Sequence, residues 1–117
     1  MYHPLVAEKM EATSKIHFVT DEKHLNSILR SRKTNNFSVL YISPWDKWCQ
    51  EMVNRALQCE ETLEHPLYIV DSFELPQAFV TFSVTSAPTI IHFRKGSVSV
   101  DVEYPKIYDF FTHRENS

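Results

Sequence analysis

The segment covering residues 37–63 constrains the fold of this chain more than any other part. Residues 37–43 form a nearly continuous apolar run rich in β-forming side chains, which is typical of a strand covered on both faces. From Cys49 to about residue 63 the pattern becomes helical, with one apolar stripe made by Met52, Ala56, Cys59 and Leu63. The sequence therefore predicts a buried strand that leads through a short loop into an amphipathic helix.

Strands and helices alternate along the rest of the chain. Further strands are predicted at residues 16–19, 67–70, 90–93 and 98–102, and further helices at residues 20–33, 74–82 and from Pro105 onward. Thr20 is the expected cap of the first helix, and residues 94–97 are the expected hairpin turn. The order β-α-β-α-β-α-β-β-α predicts one α/β domain over residues 15–117, with a mixed β-sheet flanked by helices on both faces. Residues 1–14 lack periodicity and are interpreted as an N-terminal arm.

Composition and charge exclude several classes of function. The chain has 117 residues, of which 43% are apolar, and no apolar run is long enough to span a membrane. Residues 1–14 do not look like a signal peptide, and two cysteines are too few for a disulfide scaffold, so a cytoplasmic location is expected. The net charge is −3 and the basic residues are dispersed in sequence, which argues against nucleic acid as a partner.

No motif for a cofactor or a metal ion stands out. Gly96 is the single glycine, so glycine-rich phosphate loops are excluded. None of the six histidines lies at a close metal-ligand spacing from Cys49. We therefore expect neither a metal nor a cofactor.

Two short motifs resemble those of the thioredoxin family. The first is the run Trp45-Asp46-Lys47-Trp48-Cys49, which follows a buried strand and opens a helix. The second is Ala87-Pro88-Thr89, which leads into a later strand. Together with the order of the predicted elements, the resemblance covers roughly residues 16–115 and implies the thioredoxin fold.

The resemblance also implies roles for the residues of these motifs. Cys49 matches the exposed attacking thiol of the family, so it is the candidate nucleophile and we expect alkylating reagents to modify it. Trp48 matches a surface side chain that contacts partners, whereas Trp45 is expected in the core. The bond between Ala87 and Pro88 is expected to be cis. The predicted partner-binding surface consists of Trp48, Gln50, Ala87, Pro88 and Thr89.

Two departures from the family pattern bear on function. Thioredoxins carry a second cysteine three residues after the first, and this position is Met52. They usually place a buried aspartate six residues before the first cysteine, and this position is Ser43. Cys59 cannot replace the missing thiol, because ten residues of helix span about 15 Å whereas a disulfide needs Cα atoms within about 7 Å. Cys59 is expected to be buried in the core.

The reactivity of Cys49 stays open at the level of sequence. The start of a helix favours the thiolate, Lys47 adds to that effect and Glu51 opposes it. An inert thiol on an inherited scaffold fits the sequence equally well.

Two hypotheses of function follow. The first is a redox-impaired binding or adaptor module that holds a protein or peptide partner with the surface around Trp48, Cys49 and Ala87-Pro88. The second is a monothiol redox protein, in which Cys49 forms mixed disulfides with glutathione or with protein thiols. Whether the chain is an enzyme is left open, and dithiol reductase activity is not expected.

Overall fold

A computed structural model describes residues 15–115, with side chains described as far as residue 112. Its elements follow one another in the expected order, with these bounds: β1 (Ile16–Phe18), α1 (Glu22–Arg30), β2 (Asn36–Ile42), α2 (Lys47–Gln58), β3 (Leu67–Asp71), α3 (Pro76–Thr81), β4 (Thr89–Arg94), β5 (Ser97–Asp101) and α4 (Tyr104–Glu115). The arm expected at residues 1–14 lies outside the described residues.

The five strands of the described region form one mixed sheet in the order β1-β3-β2-β4-β5. β3 runs parallel to both β1 and β2, whereas β4 is antiparallel to β2 and β5 is antiparallel to β4. Ile42 pairs with Asp71, and Tyr41 pairs with Thr89. One end of the sheet, next to the start of α2, therefore brings together the end of β2, the end of β3 and the start of β4.

The two faces of the sheet are covered by separate hydrophobic cores, which confirms helices on both faces. Alternation along β2 divides the strand between them, because Leu40 and Ile42 point to one core and Val39 and Tyr41 to the other. The first core is closed by α2 and α4, with Met52, Ala56, Ile107 and Phe111 fully buried. The second core is closed by α1 and α3, with Leu25, Ile28, Leu29 and Ala78 facing the sheet.

Several helix boundaries differ from the sequence predictions. Asp21, and not Thr20, caps α1, because its carboxylate accepts a hydrogen bond from the Lys23 backbone N–H. α2 begins two residues before Cys49 and ends at Gln58, where the chain tightens into a 3₁₀ turn at Glu60–Thr62. That turn leaves Cys59 buried at the end of the helix, as expected.

The hairpin between β4 and β5 is confirmed as a tight two-residue turn. Lys95 and Gly96 both have positive φ, at 48° and 98°, which is the pattern of a type I′ turn. The turn packs against the loop after α1, since the Gly96 backbone N–H donates to the Arg32 carbonyl at 2.9 Å. No helix within residues 15–115 is long and apolar enough to cross a membrane.

The packing of α4 on α2 predicts a large difference between two phenylalanines. Phe111 is completely buried in the first core, whereas Phe73 lies in a loop and is 65% exposed. Phe111→Ala should lower the free energy of unfolding by about 3–5 kcal/mol, because it leaves a cavity in that core. Phe73→Ala is the matched control and should stay within about 0.5 kcal/mol of wild type. Urea denaturation measures both, and equal effects would contradict this placement of α4.

Candidate functional site

Cys49 lies in the first turn of α2 but points into the protein. Its side chain is 0% exposed, and its Sγ accepts a hydrogen bond from the Ser43 backbone N–H at 3.4 Å. The expectation of an exposed attacking thiol was therefore wrong. The reason is visible in the helical spacing, because Cys49 precedes Met52, Val53 and Ala56 on the same inward face of α2.

Burial also decides the ionisation of this thiol. Burial, with a smaller contribution from the negative charge of Asp46, raises the pKa of Cys49 to about 11. The hydrogen bond from Ser43 acts in the opposite direction. Helix-terminal dipoles are typically worth only about 0.3–1 kcal/mol, which is less than the desolvation of a thiolate at this position. Cys49 is therefore a neutral thiol near pH 7, and Asp46 rather than Glu51 opposes its ionisation.

No second thiol lies close enough to form a disulfide with Cys49. Met52 fills the position three residues later and is fully buried beside it in the same core. Cys59 is buried beyond the far end of α2, and both cysteines are free. The length of α2 between Cys49 and Cys59 therefore keeps the two thiols too far apart for a disulfide within this chain.

The carboxylate that the resemblance led us to look for is also absent from its usual place. Ser43 supplies only a backbone donor to Cys49. The carboxylate of Asp71 is buried at the same end of the sheet, but its hydrogen bonds are to the backbone of the residues that follow it. Its Oδ1 accepts hydrogen bonds from the backbone N–H groups of Phe73 and Glu74, at 2.9 and 2.7 Å.

The proline loop lies where β4 starts. The Ala87–Pro88 peptide bond is cis. Pro88 and Thr89 are both buried, so the prediction that they form part of a partner-binding surface was wrong for their side chains. Thr89 donates its hydroxyl to the Ser86 carbonyl at 2.8 Å, which fixes the turn before the strand. Ala87 packs against the core cluster that contains Cys49 and Met52. Both sequence motifs therefore meet over one part of the first core.

Four aromatic side chains surround this junction, and we call them the aromatic surface: Trp45, Trp48, Phe73 and Tyr104. Trp48 is 55% exposed, and its ring meets the edge of Tyr104 at 4.9 Å. Trp45 is 71% exposed and contacts Phe73 edge-to-face at 5.3 Å. The prediction of a core position for Trp45 was wrong, because the loop before α2 directs this ring outward over Phe73 rather than into the sheet.

Phe73 and Tyr104 were missed by the sequence analysis. Phe73 stands in the polar run Asp71-Ser72-Phe73-Glu74, where an isolated large aromatic is a signal of exposure. Tyr104 begins α4, and its hydroxyl donates to the Glu51 carboxylate at 3.3 Å. That hydrogen bond connects the start of α4 to the first turns of α2 and fixes the position of Tyr104 beside Trp48.

Gln50 is the last of the predicted partner-binding residues. Gln50 is exposed, and its side-chain amide donates to the Pro44 carbonyl at 2.9 Å. It therefore braces the loop between β2 and α2. Among residues 15–115, no group of three or more His, Cys, Asp or Glu side chains is arranged to hold a metal ion.

The order of strands and the geometry of the two motifs can now be compared with known structures. No protein-family model matches the chain, and no curated protein matches it in sequence. Solved structures do match. Thioredoxin O2 from Arabidopsis thaliana superposes with a TM-score of 0.70 at 19% identity, covering 86% of this chain and 94% of that one. Schistosoma mansoni thioredoxin gives 0.71 at 19% identity, covering 85% and 94%. The chain has the thioredoxin fold.

Other solved structures agree with this assignment. Plasmodium falciparum thioredoxin matches with a TM-score of 0.67 at 17% identity, covering 84% of this chain and 96% of that one. Identities this low establish the fold and leave the activity to be argued from the residues. On this thioredoxin fold, the motif that begins with Cys49 reads Cys-Gln-Glu-Met, and the thiol is buried.

The burial of Cys49 makes a prediction for chemical labelling. Both native cysteines should resist iodoacetamide at pH 7–8, and labelling of Cys49 should increase as the pH rises towards about 11. The matched control is the double variant Cys49→Ser/Gln50→Cys, in which the thiol lies one position later in α2. Its thiol faces solvent, so it should label quickly with an ordinary pKa near 8.5. Mass spectrometry locates the adducts, and similar rates for the two proteins would contradict the inward orientation of Cys49.

Proposed function

We propose that this chain is a binding or adaptor module on the thioredoxin fold, and that it recognises a protein or peptide partner without thiol chemistry. The observation that carries the proposal is the pairing of a buried, neutral thiol with exposed aromatic rings directly around it. The position that thioredoxins use for exchange chemistry is inward here, whereas the side chains around it face outward.

The aromatic surface has the composition of a binding site. Large aromatic side chains are enriched among the residues that dominate binding energy at interfaces, because they bury much apolar area and lose few rotamers. The four rings occur in two edge-to-face pairs, and Tyr104 is further tied to Glu51. These contacts hold the rings in place before binding, which lowers the entropic cost of association.

The proline loop adds a second element to the proposed surface. Residues 84–88 precede β4 and belong to no strand, and Ala87 is only partly buried. A backbone of this kind can pair with an extended peptide, in which case main-chain hydrogen bonds give affinity and the aromatic side chains give selectivity. An extended peptide segment with apolar side chains is therefore the partner that best fits this surface.

Partner capture with matched variants tests the proposal. Trp48→Ala should lose the partners that wild type retains from an extract, because it removes an anchor from the centre of the aromatic surface. Val98→Ala is the control, since Val98 is 54% exposed, close to the 55% of Trp48, but lies on β5. Cys49→Ser and added dithiothreitol should leave capture unchanged. Quantitative mass spectrometry compares the five samples: wild type, the three variants, and wild type with dithiothreitol.

The alternative is a monothiol redox protein, and the same samples distinguish it. The hydrogen bond from the Ser43 backbone N–H to Sγ is the contact that favours a thiolate at Cys49. If Cys49→Ser abolishes capture and dithiothreitol releases the partners from wild type, they are held through a mixed disulfide. Glutathionylation of Cys49, detected by intact-mass measurement after incubation with oxidised glutathione, would support the same reading.

Restoring the missing groups should restore reductase activity only in part. Wild type should show no turnover with a protein disulfide as substrate, because no second thiol can resolve a mixed disulfide at Cys49. Met52→Cys should give a low rate, since the new thiol is buried and Ser43 provides no carboxylate. Adding Ser43→Asp should raise the rate further. An insulin-reduction assay compares the three proteins, and wild-type turnover equal to that of a dithiol thioredoxin would refute the proposed loss of redox function.

A further inference from the structure

An open cleft of the described region lies at the end of the sheet opposite Cys49. It has a volume of about 350 Å³, which is at the lower end of the range for small-molecule sites. It is formed where the loop after α1 and the start of β2 approach the start of β3 and the turn between β4 and β5. The proposed partner-binding surface does not use any of these residues.

One wall of the cleft is apolar and aromatic. Phe37, Pro66 and Tyr68 form it. The Tyr68 ring stands edge-on to Phe37 at 5.7 Å and is stacked against His17 at 5.4 Å, so neighbouring rings hold its orientation. A fixed aromatic ring beside an apolar floor is suited to contact with a planar ring of a ligand.

Polar residues of the loop after α1 and the start of β2 also line the cleft. The Asn36 Oδ1 is buried and has no partner among the described residues. The hydroxyls of Ser31 and Thr34 donate to the carbonyls of Ile28 and Ser31, so towards the cleft their oxygens can only accept. A ligand that donates an N–H or O–H group to these hydroxyl oxygens would match their free lone pairs.

The third feature is positive charge brought together by the fold. Lys95 lines the cleft, and the Gly96 hydrogen bond holds its turn against Arg32, with Lys33 next in the chain. Lys95 is far in sequence from Arg32 and Lys33, and it is the Lys or Arg side chain that lines the cleft itself. None of the described residues that line the cleft is acidic, although the whole chain carries a net charge of −3. The local charge therefore favours an anion.

The backbone at Lys95 gives independent support. Its φ of 48° lies in the left-handed region, where type I′ turns strongly prefer Asn, Asp or Gly. A lysine at this position is strained, and strained backbone is concentrated at binding and catalytic sites. Lys95 occupies this strained position, and its side chain is the cation that lines the cleft.

We propose that this cleft binds a small aromatic anion that carries an amino or hydroxyl donor and is no larger than a nucleoside monophosphate. The ring lies against Tyr68, the donor reaches the hydroxyl oxygens of Ser31 and Thr34, and the anionic group pairs with Lys95. A phosphate and a carboxylate fit this arrangement equally well, so both sources of the anion enter the test.

Isothermal titration calorimetry on the full chain tests the ligand class. AMP supplies ring, amino group and phosphate, and 4-aminobenzoate supplies ring, amino group and carboxylate. At least one of them should bind with a dissociation constant below about 1 mM. Adenosine lacks the anionic group, and inorganic phosphate lacks the ring and the amino group. Each should bind at least tenfold more weakly than AMP. The proposal is overturned if neither AMP nor 4-aminobenzoate saturates, or if adenosine or phosphate alone binds as tightly as the anionic ring.

Lys95→Asn separates binding from folding. Asparagine suits the left-handed position, so the melting temperature should rise, whereas loss of the charged donor should weaken binding roughly tenfold. Lys23→Asn makes the same charge change at the other end of α1 and should leave affinity unchanged. Unaltered affinity in Lys95→Asn would overturn the proposal.

Nuclear magnetic resonance locates the site and keeps it distinct from the partner-binding surface. Addition of the ligand should shift the backbone amides of Asn35, Asn36 and Lys95, and Trp48→Ala should bind the ligand as wild type does. Shifts concentrated at Trp48 and Cys49 would overturn the assignment of the cleft. Because the two surfaces share no residue, loss of partner capture in Trp48→Ala and loss of ligand in Lys95→Asn report on the two proposals separately.

Discussion

The pairing of β2 with strands on both sides is the interaction on which the rest of this structure depends. β2 joins β3 in parallel and β4 in antiparallel orientation, so it carries hydrogen bonds along both edges. Its alternating side chains enter both hydrophobic cores. The same pairing brings the loop before α2 next to the start of β4, and Cys49 and the cis-proline loop meet there because of it.

At that meeting point, burial outweighs the electrostatic effect of the helix. A thiol at a helix start is usually stabilised as thiolate, but α2 turns Cys49 towards Leu40, Ile42 and Met52 in the first core. Desolvation then raises the pKa of the thiol to about 11. The scaffold thus places the cysteine at the start of α2 with its thiol buried, whereas the rings of Trp45, Trp48 and Phe73 are exposed at this end of the sheet.

The fold could be read from sequence because hydrophobic periodicity is local and strong. The continuous apolar run predicted β2, and the apolar stripe predicted α2. The order of all predicted strands and helices then predicted the mixed sheet. Boundaries were less certain where local hydrogen bonds compete, as at Asp21, which replaces Thr20 as the cap of α1. The site was predicted in part. Cys59 is buried as expected, whereas Cys49 was expected to be exposed and is buried, and Trp45 was expected to be buried and is exposed.

By itself, the sequence determined the α/β element order, the tight turn at Lys95-Gly96 and the loss of the second thiol at Met52. These follow from local propensity and covalent chemistry, which need no knowledge of distant contacts. Only the tertiary structure decided that Cys49 faces inward, that Trp45 and Phe73 pair at the surface, and that Arg32 and Lys95 share one end of the sheet. Each of these depends on which segments the sheet brings together, and side-chain burial and local charge are properties of that assembly.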